Sequence, residues 1–301
     1  DQRSAFSRAV VLVQVRRAFF LGLRARSVLR VAEKTVQTRQ VVADQIGALA
    51  KSNLKSGLDV SFANVNLAEA KLLLSQAQNE VKGADAELSA AMGYPLPQEF
   101  DLVETAMPAP PLAEPAPMIS IALKERADVQ SARSELSAAQ RFTSAEGALS
   151  RPTVSIGAAA GVAPVHGDSI KDHYSIAGIT MSIPIFNGHL YSARREEADF
   201  RARAVAERVR SLEMQVARDV QVAWLNTTNS FKRVKLTDEL VKQASLALEL
   251  SQARYDLGLS SIVELTQAQL AKTAADIQRA TAIYEFQIQT SVLAYQQGLL
   301  K

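Results

Sequence analysis

The 301 residues carry 34 basic and 31 acidic side chains, and the net charge of +3 is mixed along the chain, so the pI near 9.1 gives no reason to expect nucleic acid as a partner. No cysteine is present, which excludes disulfides, thiolate metal sites and thiol catalysis, and no run of about 18 apolar residues offers a transmembrane helix. Hydrophobic residues make up 48% but aromatic residues only 6%, a balance of alanine, leucine and valine that suits close-packed helices better than a thick globular interior.

The prolines map the chain. All ten fall between Pro95 and Pro184, so residues 1–94 and 185–301 lack the strongest helix breaker. The chain opens on Asp-Gln-Arg-Ser-Ala-Phe-Ser-Arg, already charged and helical and without a signal-peptide layout, which leaves a cytoplasmic protein or a mature or truncated piece. Within the first block Val42, Ile46, Ala50 and Leu54 recur at four-residue steps and predict a long helix. Lys55-Ser56-Gly57-Leu58-Asp59 then reads as a hairpin tip, with the glycine closing one helix and Asp59 placed to cap the next. Residues 94–118 hold seven prolines and predict a loop-like crossing, followed by a short helix through Arg126, Leu136 and Ala145.

Two alternating stretches come next. From Arg151, one face carries Val154, Ile156, Ala158, Ala160 and Val162, against Thr153, Ser155, Gly157, Ala159 and Gly161. From Tyr174, one face carries Ala177, Ile179, Met181, Ile183 and Ile185, against Tyr174, Ile176, Gly178, Thr180 and Ser182. Each is apolar on one side, small or polar on the other, and ten to twelve residues long, enough for a tilted strand to cross a bilayer. A water-soluble hairpin laid on a helix fits the same residues. Two strands alone cannot span lipid, because their edges would leave backbone groups unsatisfied, so a membrane role requires a barrel closed by other strands or subunits.

After Asn187 nothing demands a stop until Leu257, and Val209, Leu212, Val216, Val220 and Ala223 lay an apolar stripe along one side of a helix of about 65 to 70 residues. Such a rod must pack on neighbouring rods. Asp256-Leu257-Gly258-Leu259-Ser260 repeats the tip signal, and Ile277, Ala280, Tyr284 and Ile288 mark the last helix. Sliding the chain on itself pairs Gly57-Leu58 with Gly258-Leu259, Ala70-Lys71 with Ala271-Lys272 and Arg17 with Arg218, which suggests an internal duplication.

These residues together resemble the TolC-like outer-membrane efflux family. The likeness rests on Pro152 to Gly157, on Gly178 to Gly188 with its Ser-Ile-Pro-Ile-Phe-Asn-Gly, on Tyr255 to Ser261 running into Ile262-Val-Glu-Leu-Thr-Gln-Ala-Gln269, and on Arg126-Ala-Asp-Val129 followed by Ala132-Arg133. The fold class it implies is mainly α with a small β part: long antiparallel helical hairpins forming an α-barrel tunnel, plus two transmembrane strands per subunit given to a trimeric β-barrel. The expected segments are 1–93, a first-repeat hairpin with its tip near 55–60; 94–150, a proline-rich equatorial segment and ascending helix; 151–186, the barrel strands; and 187–301, a second-repeat hairpin with its tip near 256–261. The family pattern has an initial helix and two further strands before the point where this sequence starts, so the sequence reads as an N-terminally truncated piece.

The resemblance implies a passive trimeric duct in the outer membrane for export of small molecules or proteins, with most of the chain in the periplasm. Its partners would be a homotrimer mate, a periplasmic adaptor, an inner-membrane transporter and outer-membrane lipid. The adaptor-contacting tip residues would be Ser56, Gly57, Leu58 and Asp59 with Leu257, Gly258, Leu259, Ser260 and Ser261. The pore constriction would involve Glu264, Gln267 and Tyr255, where rings of like carboxylates attract cations. The family's tip lock uses polar partners of Tyr255, but Phe62 and Ala63 stand at those positions and Ser260 at the expected basic one, so the resemblance does not extend to that lock. The lipid-facing residues would be Val154, Ile156, Ala158, Ala160, Val162, Ala177, Ile179, Met181 and Ile183.

No catalytic constellation is found among the residues, and no enzyme activity or cofactor is expected. His166 and His173 lie seven apart with Asp168 and Asp172 near, a thin basis for a loop metal site, and none is assigned. The competing reading is a soluble periplasmic coiled-coil adaptor, which should carry lipoyl-like and small-barrel domains rich in short strands beside one hairpin. This chain predicts two hairpins and one strand pair.

Overall fold

The computed structural model describes residues 2–111, 113–162 and 173–300. In chain order the elements are α1 (Gln2–Lys51), α2 (Gly57–Ala91), α3 (Ala116–Glu125), α4 (Ala127–Ala148), β1 (Thr153–Val162), β2 (His173–Ser182), α5 (Leu190–Asp256) and α6 (Ile262–Gln296). The 67 residues of α5 make a rod about 100 Å long at 1.5 Å per residue. Two compact units divide the chain: Asp1–Ala127 with Gln215–Lys301, and Asp128–Met214.

In the first unit, small side chains let the helices approach. Ala32 of α1, Ala77 of α2 and Ala280 of α6 meet with Val28 in one buried cluster, flanked by Leu29, Leu73, Leu74 and Ile277. Alanine at such a crossing leaves no gap to fill, so backbones come near the short end of the 8–10 Å range of helix packing. Further along, Phe286 of α6 is fully buried against Val234 and Phe231 of α5, the two rings 5.3 Å apart. The stripe expected on α5 is in place, with Val209, Val216, Val220 and Ala223 all buried.

The duplication is present but in a different register. α2 and α6 are both 35 residues long, and each start and end differs by 205 positions, Gly57 to Ile262 and Ala91 to Gln296. Each closes on a glycine at positive φ, Gly93 and Gly298, again 205 apart, with matching backbone hydrogen bonds behind it. The alignment of Gly57 with Gly258, an offset of 201, therefore does not hold structurally.

Three further expectations are corrected. The helix through Arg126 is two helices, because Arg126 is extended (ψ 126°) and separates α3 from α4. The break is held from outside: Arg126 Nη1 donates to Gln296 Oε1 at 2.6 Å, and Gly298 lies so close that a Cβ there would sit 3.0 Å from Arg126 N. Leu54 lies beyond the end of α1 and is exposed, so it is no part of that helix's stripe. β2 stops at Ser182, leaving Ile183 and Ile185 outside the strand, since Pro184 has no N–H to give a ladder.

In the second unit, β1 and β2 form an antiparallel pair. The register sets Val154 opposite Met181, Ile156 opposite Ile179 and Ala158 opposite Ala177, which merges the two apolar faces into one. The other face is small and polar: Thr153 opposite Ser182, Ser155 opposite Thr180 and Gly157 opposite Gly178. The Tyr174 ring lies over Gly161, where a Cβ would fall 2.7 Å from Tyr174 Oη and push that exposed ring aside. Among the described residues of this unit nothing covers the apolar face; Ile156 is 80% and Ile179 74% exposed.

Candidate functional site at the paired hairpin tips

Both tips are built by the same sequence of backbone devices. α1 ends with Asn53 at φ 61°, its N–H donating to Ala50 O at 2.9 Å while Leu54 N–H reaches Leu49 O at 2.9 Å. α5 ends with Gly258 at φ 72°, its N–H on Tyr255 O at 3.0 Å and Leu259 N–H on Arg254 O at 2.8 Å. These are paired Schellman closures, one using asparagine where the other uses glycine. Three residues on, Ser56 and Ser261 cap the next helices. Gly57 therefore opens α2 rather than closing α1, and the caps are Ser56 and Ser261 rather than Asp59 and Ser260.

The caps differ in what their acidic partners do. Asp59 N–H donates to Ser56 Oγ at 3.1 Å, and Asp59 Oδ2 accepts from Ser56 N–H at 3.0 Å, a reciprocal capping box. Glu264 N–H donates to Ser261 Oγ at 3.4 Å, but its carboxylate turns to Arg254, whose Nε donates to Glu264 Oε1 at 3.2 Å. Arg254 Nη2 also donates to Leu259 O at 3.3 Å, so one guanidinium ties the second tip across its turn.

The two tips share one core. Ala43 and Ile46 of α1, Ala63 and Leu67 of α2, Tyr255 of α5, and Ile262 and Leu265 of α6 form a single buried cluster. Tyr255 is 6% exposed, its Oη has no hydrogen-bond partner among the described residues, and Lys55 Nζ lies 3.9 Å from its ring centroid. Asn66 Nδ2 donates to Thr266 Oγ1 at 2.8 Å and fastens α2 to α6 about a turn above. Ala63, at one of the positions of the family's tip lock, is a buried member of the same cluster as Tyr255.

Around that core the tip surface is apolar at its rim: Leu54, Leu58, Leu257, Leu259 and Val263 are exposed. Glu264 and Gln267 lie one turn apart on the exposed side of α6. Sequence reasoning missed Asn53, Lys55 and Arg254. Their signals were present as a residue tolerant of positive φ and as basic groups flanking the two turns.

Buried charge also marks α1. Arg39 is buried with Nη1 unpartnered among the described residues, and loss of hydration pushes its guanidinium below its ordinary pKa against the opposing pull of Glu69. Among the described residues no group of three or more histidine, aspartate or glutamate side chains could hold a metal, while His166, Asp168 and Asp172 lie outside them.

Comparison with known proteins accords with this architecture. Among solved structures, the outer membrane protein VceC from Vibrio cholerae superposes with a TM-score of 0.79 at 17% identity, covering 99% of this chain and 72% of that one. The open state of the MtrE outer membrane channel of Neisseria gonorrhoeae superposes at 0.76 and 17% identity, covering 100% and 68%. Among curated relatives, the solvent efflux pump outer membrane protein SrpC of Pseudomonas putida is 27% identical over 260 residues, 83% of this chain. The pyoverdine export outer membrane protein OpmQ of Pseudomonas putida is 23% identical over 286 residues, 92% of this chain. The chain spans 54% and 59% of the length of these two relatives. Residues 118–295, more than half of the chain, match the family described as outer membrane efflux protein, so the chain belongs to that family.

Proposed function

We propose that the chain is a subunit of a passive export duct: a homotrimer whose strand pairs share one outer-membrane β-barrel and whose hairpins form a periplasmic tunnel. A periplasmic adaptor would meet the tips, and an inner-membrane transporter would supply the energy. The observation that carries this reading is the strand pair. Its apolar face is exposed on both strands and in register, and β1 and β2 pair only with each other among the described residues, so each keeps one free edge. Free edges are untenable in lipid unless other copies pair with them. Ten residues rise about 33 Å, which a tilt near 45° reduces to about 23 Å, close to the apolar band of outer-membrane barrels.

On this reading residues 1–93 and 187–301 supply the two hairpins, 94–150 an equatorial segment and ascending helix, and 151–186 the barrel strands. The exposed leucines at both tips favour docking of an apolar adaptor surface, and Glu264 and Gln267 would narrow the entrance. Efflux of solvents or of pyoverdine is what the relatives' names describe; an organic small molecule is the cargo class proposed here. The test is membrane fractionation of the natural protein followed by the mass of the detergent-extracted particle. A trimer in the outer-membrane fraction is expected. A soluble monomer would overturn the reading.

A further inference from the structure

The end of the strand pair opposite the 163–172 connection carries an unusual combination of side chains. The register places Thr153 opposite Ser182 at this end, so Arg151 and the segment Ile183–Phe186 leave the sheet together. Ile185 and Phe186 are 95% and 87% exposed, the most open large apolar residues in the unit. The bulkier side chains of the apolar face, Val154, Ile156, Ile179 and Met181, also crowd this end.

Three arginines flank this end of the strand pair along the chain. Arg151 follows the end of α4, its N–H on Ala148 O at 3.0 Å. Arg194 and Arg195 sit in the first turns of α5, and the Arg195 side chain runs against Gly147 of α4, Cδ 3.5 Å from where a Cβ would stand. That contact brings the start of α5 to the end of α4, beside Arg151.

Helix spacing explains why these cations stay open. Further along α5, Arg201 pairs with Glu197, Arg203 with Asp199 and Arg210 with Glu207, each three or four residues back. Arg194 has Leu190 and Tyr191 at those steps and Arg195 has Tyr191 and Ser192, while four residues ahead stand Ala198 and an Asp199 already taken by Arg203. Arg151, Arg194 and Arg195 make no ion pair with any described residue. The carboxylates of Glu146, Glu196 and Asp199 line the cleft that Arg195 enters, so that guanidinium has acidic neighbours, whereas Arg151 and Arg194 do not line it, and Glu197 is occupied by Arg201.

We propose that this belt is a headgroup site: Phe186 and Ile185 enter the boundary of the hydrocarbon, while Arg151 and Arg194 bind the phosphodiesters of anionic phospholipid. Guanidinium groups suit phosphate because they offer a planar fork of donors, and apolar residues beside cations are what an interface rewards. This rests on the membrane placement of the strand pair proposed above. The belt would fix the depth of the barrel and select lipid charge on that side.

The test is native mass spectrometry of the natural protein, extracted in detergent and offered equal amounts of phosphatidylglycerol and phosphatidylcholine. Wild type should retain phosphatidylglycerol several-fold more. The Arg151→Gln/Arg194→Gln variant should lose that preference, Arg151→Lys/Arg194→Lys should keep most of it, and Arg208→Gln, a change at another unpaired arginine some 20 Å along α5, should leave it unchanged. Equal retention of the two lipids by wild type, an undiminished preference in the double glutamine variant, or an equal loss in Arg208→Gln would overturn the site while leaving the export duct intact. A wild-type protein outside the membrane fraction would overturn both.

Discussion

Lys55 Nζ stands 3.9 Å from the centroid of the Tyr255 ring, one residue from each hairpin tip, although the two are 200 positions apart in the chain. The ammonium lies over the ring, and Tyr255 belongs to the buried cluster that includes Ala43, Ala63 and Leu265. Tyr255 is thus both a core residue and the link between hairpins. Truncation by Tyr255→Ala should cost about 3–5 kcal/mol, as for other buried aromatics, in urea unfolding. Tyr255→Phe should cost little or stabilise, because the buried Oη has no partner to lose. A large loss in the phenylalanine variant would mean that Oη finds a partner in the assembled protein.

The two helix closures differ in residue type and so in strain. Asn53 occupies a left-handed conformation that glycine adopts freely. Asn53→Gly should change stability by only a few tenths of a kcal/mol, whereas Asn53→Ala and Gly258→Ala should each cost about 1 kcal/mol. Thermal denaturation of the three variants checks the order.

Glu264 is held by Arg254 in an ion pair that leaves both side chains about half exposed, so its stability contribution should be within about 1 kcal/mol and fall with salt. Its electrostatic effect on a pore would be larger. In planar bilayers Glu264→Gln should reduce cation preference and Arg254→Gln, which frees the carboxylate, should raise it. Changes of the same sign in both variants would remove Glu264 from the entrance.

The strand faces predict opposite tolerances. Arginine in place of Ile156 should cost about 2–4 kcal/mol if that side chain meets lipid near mid-depth, and should lower recovery in the membrane fraction. Lysine in place of Ser155, on the small and polar face, should be tolerated. Equal recovery of the two variants would mean that the apolar face is covered by protein.

Tyr284 titrates above its ordinary value of 10.0, first because it is buried and then because Glu104 disfavours a second negative charge. The folded state therefore keeps its proton after the unfolded chain has begun to lose it. Stability should fall as pH rises past about 10 toward the folded-state value. Tyr284→Phe should flatten that alkaline loss; an unchanged slope would assign it to other groups.

The long helices were readable from where prolines are absent and from stripes such as Val209, Val216 and Val220, because burial along a rod imposes one period for its whole length. The strand faces were readable for the same reason at period two. The tips were not. Residue identity suggested pairing Gly57 with Gly258, but the duplicated feature is a conformation, and Asn53 can adopt it without being a glycine. Arg254 and Lys55 were not singled out, because their partners are set by chain reversal and by packing between hairpins, neither of which has a local period. The divide at Arg126 was hidden likewise, being imposed by the far end of α6.

The equal lengths of α2 and α6, closed by the same caps at both ends, make each hairpin a ruler for the other. An insertion of two helical turns in one arm alone would carry its tip about 10 Å past its counterpart and separate Lys55 from Tyr255. Growth or shortening of such a protein must therefore be matched in both halves, and length is inherited in pairs.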